Sequence, residues 1–118
     1  MTQREYRTRG ELEETQRDED AAARRRVEQA DEYVSYYRSR MWSMQEGFYE
    51  LAARNGAADD PRFRAVLAQI SQNLDEDVRA ASAVVDRLDE DHRALRARHA
   101  RELEDFDERR REQGPPGY

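Results

Sequence analysis

The sequence has no cysteine, so it holds neither a disulfide framework nor a cysteine-ligated metal site. Glycine and proline are scarce, 5 and 3 among 118 residues, which leaves few places for a tight turn. Strand signals are nearly absent: no run of alternating Val, Ile, Thr or aromatic residues is bounded by turn residues. No window approaches the roughly 18 consecutive apolar residues that a membrane-spanning helix needs. A Gly-rich phosphate loop, a nucleophile elbow and a Cys/His pair are also missing. The expectation is therefore a non-enzymatic protein with no catalytic residue, no cofactor and no bound metal. The opening Met1-Thr2-Gln3-Arg4-Glu5 lacks the apolar core of a secretory signal, so a cytoplasmic location is expected.

What the chain has is charge. Charged residues make up 41% and hydrophobic residues 36%, the balance of a long-helix or coiled-coil protein rather than a globule with many turns. Its length fits one domain. The net charge of −6 argues against nucleic acid as a partner, because phosphate contacts need a concentrated basic face. The runs Arg24-Arg25-Arg26 and Arg109-Arg110-Arg111 lie among acidic residues and read as solvated helix faces.

The stretch from Val27 to Leu51 organises the rest. Its apolar residues are Val27, Ala30, Val34, Tyr37, Met41, Met44, Phe48 and Leu51, spaced alternately by three and four, a heptad seam. Such a stripe is too narrow to bury itself and needs a second helix. Asn55-Gly56 is a helix C-terminal signal, and Asp60-Pro61 is an N-cap followed by proline at the first helical position. Beyond it runs a second seam: Phe63, Leu67, Ile70, Leu74, Val78, Ala81, Val85, Leu88, His92, Leu95, His99, Leu103 and Phe106. Steps of four followed by four, around Leu74 and His99, are stutters that straighten a supercoil. Seam residues reflect one another through Asp59: Leu51 with Leu67, Phe48 with Ile70, Met44 with Leu74, Tyr37 with Ala81, Ala30 with Leu88.

The predicted fold is all-α, a long antiparallel two-helix hairpin, coiled-coil-like, completed to a bundle by a second chain. Residues 1–10 are expected to fray, with Thr8 or Thr2 as candidate caps. Helix one covers about 11–54, the turn 55–60 and helix two about 61–113, with a disordered tail at 114–118. The seam is weakly apolar where Glu14 to Asp20 faces His99 to Phe106, so that end is expected to be the softer one and to order with a partner.

Several large residues fall off the seam. Trp42 and Tyr49 lie one heptad apart on one flank, Tyr33 and Tyr36 on the other, and Val66 and Val84 on helix two. They either lean over the seam and cover it or form a second apolar strip. Aromatics mixed with arginine are typical interface anchors. The expected partner-binding set is therefore Tyr33, Tyr36, Tyr37, Arg40, Trp42, Tyr49, Phe63 and Val66, facing a helical protein partner or a second copy in a homodimer.

Asp89-x-x-His92 and His99-x-x-Glu102 each place a carboxylate and an imidazole on one helical face. A carboxylate-bridged two-metal site needs two Glu-x-x-His units and two further Glu on facing helices, and that set is incomplete. The simpler expectation pairs the histidines with carboxylates such as Glu19. Charging of His92 and His99 near pH 6 is expected to loosen that end.

Tyr37-Arg38-Ser39-Arg40-Met41-Trp42, Pro61-Arg62-Phe63 and Leu88-Asp89-Glu90-Asp91 form an Arg-rich aromatic mid-section, a short break, and a Leu- and acid-rich second helix. Over residues 11–112 this resembles the small helical targeting partners of LXG-type toxins in type VII secretion. The resemblance implies an adaptor or chaperone that binds a toxin's helical N-terminal domain and presents it for export. Two features depart from that pattern. Trp42 lies inside helix one rather than in a Trp-x-Gly turn, and Phe106 is followed four residues on by Arg110, not by the acid of an export signal. The second expected use of the same hairpin is a homo-oligomeric coiled-coil scaffold.

Overall fold

The computed structural model describes residues 6–114. Helix α1 spans Arg9–Arg54 and α2 spans Pro61–Gln113, folded as an all-α antiparallel hairpin with no strand among the described residues. Residues 1–5 and 115–118, parts of the expected frayed start and tail, lie outside that range.

The helix ends follow from local chemistry. Thr8 Oγ1 accepts from the Glu11 amide (3.1 Å), and the Glu11 carboxylate accepts from the Arg7 amide (3.1 Å). This reciprocal cap over Thr8-Arg9-Gly10-Glu11 starts α1 at Arg9 and outweighs the cost of Gly10 in the first turn. At the other end, Gly56 takes φ of 70°. The Gly56 amide then donates to Ala53 O (3.2 Å) and the Ala57 amide to Ala52 O (2.7 Å), a Schellman closure that satisfies the last carbonyls. Asp60 Oδ1 accepts from the Arg62 amide (2.8 Å) and opens α2, with Pro61 at its first position.

The chain divides into two compact units. The terminal unit comprises residues up to Val27 and from Arg87 onward; the turn-proximal unit is Glu28–Asp86. Five of the seven buried residues among those described belong to the terminal unit: Leu12, Gln16, Ala23, His92 and His99. The expectation of a soft end is corrected by this packing, because the polar residues there are buried with partners. Gln16 donates to the His99 carbonyl (2.9 Å), His92 Nε2 to Asp20 Oδ1 (2.7 Å) and His99 Nε2 to Glu19 Oε2 (3.4 Å). Arg9 pairs with Asp107 (3.2 Å), and Arg110 donates to the Arg7 carbonyl (2.8 Å). Buried polar groups that are fully bonded specify register where aliphatic residues do not.

The turn-proximal unit is different. Between its helices lie Val34, Met41, Gln45 and Ala52 of α1, against Leu67, Ser71, Val78 and Val85 of α2. Gln45 donates to Ser71 Oγ (3.0 Å), which fixes the register. Met44, Phe48, Leu51 and Ile70, which the heptad pattern places in the seam, are instead 42% to 56% exposed. The reason is the period. Val34, Met41, Gln45 and Ala52 are spaced by seven, eleven and eighteen, the repeat of a straight α-helix, whereas a strict heptad stripe drifts about 20° per repeat across such a helix. By the last turns of α1 that drift carries the apolar stripe out of the contact and brings Gln45 and Ala52 into it.

Candidate functional site

Each inward residue of the turn-proximal unit has a neighbour one position earlier in the sequence. On α1 these are Tyr33, Arg40, Met44 and Leu51; on α2 they are Val66, Ile70, Asp77 and Val84. One residue back is about 100° round the helix. In an antiparallel pair of right-handed helices, that step turns both toward the same side of the plane through their axes. All eight residues are exposed on that side. Phe48, half exposed, lies between them and the inward row.

The opposite side consists of the residues one position later: Ser35, Trp42, Glu46 and Ala53, with Ala68, Gln72, Arg79 and Asp86. It is polar or small except for Trp42 and for Tyr49, which turns to the same side. The unit is thus two-faced, with one side suited to water. The other is an apolar strip of Met44, Phe48, Leu51, Val66 and Ile70, none less than 42% exposed. A contiguous apolar face of this kind marks an interaction surface, whereas scattered exposed apolar residues do not. Its one basic and one acidic member, Arg40 and Asp77, form no ion pair among the described residues; Arg40 bonds only the Tyr36 hydroxyl (3.3 Å).

The expected partner-binding set is divided by this geometry. Tyr33, Arg40 and Val66 belong to the apolar side, Trp42 and Tyr49 turn to the opposite side, and Tyr36 points away from α2. Tyr37 and Phe63 are half-buried beside the inter-helix contact. The structure adds Met44, Phe48, Leu51 and Ile70. The eighteen-residue spacing of Val34 and Ala52 is the signal that could have found them.

The histidines form a separate constellation in the terminal unit. They bond to α1, not to the carboxylates of their own helix: Asp89 pairs with Arg93 (2.9 Å) and Glu102 with Arg98 (3.8 Å). Asp20, which the sequence pattern does not single out, is the hub. It receives His92 (2.7 Å), Arg24 (3.4 Å) and Arg96 (3.8 Å). The hydrogen bond from His92, aided by the charges of His92, Arg24 and Arg96 and opposed by desolvation, holds the Asp20 carboxyl below the usual carboxylate range. A shallow groove beside it is lined by Gln16, Asp20, Arg96, His99 and Leu103 among others. Among the described residues no three His, Asp or Glu side chains converge on a point that would hold a metal ion.

No helix among the described residues is long and apolar enough to cross a membrane. No protein-family model matches the chain, and neither a curated protein nor a solved structure matches it.

Proposed function

We propose that the protein is a non-enzymatic helical adaptor whose turn-proximal unit binds a helical partner along its open apolar side. The observation that carries this reading is the contrast between the two sides of one helix pair. Met44, Phe48, Leu51, Val66 and Ile70 are exposed together, while the reverse side is polar or small apart from Trp42 and Tyr49. Two helices laid on that strip would complete a four-helix bundle and remove the apolar area from water at about 25 cal/mol per Å². The helical N-terminal domain of a toxin, the occupant implied by the type VII resemblance, is one supplier of such helices; a second hairpin is another. Both histidines, the side chains best suited to proton transfer, are buried and bonded to α1 carboxylates, which supports a role without catalysis.

A photo-crosslinking residue at Phe48, compared with one at Gln72 on the reverse side, tests the reading in cells. Capture at Phe48 and not at Gln72 is expected. A residue 48 probe that captures nothing ends it.

A further inference from the structure

We infer that the occupant of the apolar side is the same side of a second copy, related by a two-fold axis that runs along the helices so that the two turns lie at the same end. This rests on the reading that the apolar side binds helices, and it names the partner. In this arrangement α1 of each copy lies over α2 of the other. Residues at equal height then meet, and the Gln45–Ser71 hydrogen bond sets the height: it joins residues centred on Ala58.

That register places Arg40 over Asp77 of the partner copy, and by symmetry Asp77 under the partner copy's Arg40. The one cation and the one anion of the strip, neither of which has an ion pair among the described residues, acquire each other twice. Leu51 meets Val66 at the end near the turn, Tyr33 meets Val84 at the far end, and Met44, Phe48 and Ile70 lie between the Leu51 end and the Arg40–Asp77 pairs. Reversing one copy instead lays each helix over its own equivalent. That brings the two Arg40 side chains near one another, and likewise the two Asp77. A two-fold interface must be self-complementary, with residue i meeting j and j meeting i. The charges satisfy that condition only in the turn-to-turn arrangement. A partner unrelated in sequence would place no such demand on where Arg40 and Asp77 fall.

The test uses two charge-reversal variants of the full chain, Arg40→Glu and Asp77→Lys, both at exposed positions. Sedimentation equilibrium should find the wild type dimeric and each variant with a dissociation constant raised about tenfold or more, since two ion pairs become two repulsions. Mixing the variants one to one should restore wild-type affinity, because in the mixed dimer every glutamate or aspartate faces an arginine or lysine. Leu51→Glu should give a monomer with unchanged helicity at high dilution. A wild type that stays monomeric at about 100 μM, or variants that mix without recovery, overturns the inference. The crosslinker at Phe48 separates the two levels: capture of another protein alone removes the second copy but leaves the helix-binding reading, whereas capture of nothing removes both.

Discussion

Truncating Leu12 should cost this protein more than truncating Phe48, although the heptad pattern ranks them the other way. Leu12 lies well before the Val27–Leu51 seam, in the weakly apolar part of the sequence, yet it is 3% exposed in the terminal unit. Phe48 is a large aromatic in the Val27–Leu51 seam, yet it is 50% exposed. Removing three buried carbons at Leu12 loses their transfer energy and leaves a gap, about 2–3 kcal/mol at the low end of the range for core leucines. Half-burial of a phenylalanine contributes about 1 kcal/mol, and alanine recovers about half of that through better helix propensity. Phe48→Ala should therefore cost about 0.5 kcal/mol in the separated chain. Urea unfolding followed by circular dichroism, at dilutions where the chain is a monomer, measures both. Equal losses, or a larger one for Phe48→Ala, would refute the claim that the apolar stripe leaves the contact near the turn.

Three further outcomes follow from local geometry. Gly56→Ala forces a side chain into φ of 70° with no atom within 4 Å to blame, so it should lower stability by about 1 kcal/mol through backbone strain alone, measured by thermal unfolding. Gly47→Ala sits on an open stretch of α1 with nothing within 4 Å and an ordinary helical φ, so it should stabilise the separated chain by about 1 kcal/mol. Asp20→Asn should destabilise the chain by an amount that depends on acid. A carboxyl whose folded pKa is lowered contributes stability above its unfolded value of 3.8 and loses that contribution as pH falls through the lower folded value. The gap between wild type and Asp20→Asn should thus be full at about pH 5 and shrink below 3.8. A gap that widens on acidification contradicts the assignment. His92 and His99 bond the α1 carboxylates of Asp20 and Glu19 at 2.7 and 3.4 Å, the pairing with carboxylates such as Glu19 that the sequence leads one to expect.

The ends of the helices were legible because each is set by a few adjacent residues. Asn55-Gly56 and Asp60-Pro61 bound the turn, and Thr8 with Glu11 starts α1. The direction in which each helix faces was legible only near the middle of α1. Around Val34 a repeat of 3.5 and a repeat of 3.6 agree; by Leu51 they differ enough to exchange Leu51 for Ala52. Asp20 could not be picked out by apolar spacing, because its role depends on a partner more than seventy residues away. The exposed strip was half visible. Tyr33, Val66 and Val84 stand off the seam in the sequence and Arg40 belongs to the expected partner-binding set, but the residues that join them into one surface fall on the seam itself.

The most direct measurement uses two native methionines as reporters. Met41 is half-buried between the helices and Met44 is 47% exposed on the apolar side. Oxidation by dilute peroxide, read by mass spectrometry across a range of protein concentrations, should convert Met44 faster than Met41 in dilute solution and become slow at Met44 once the second copy covers it. Equal protection of Met44 and Met41 at every dilution would show that the hairpin closes over its own apolar strip, and would contradict an open face awaiting a partner.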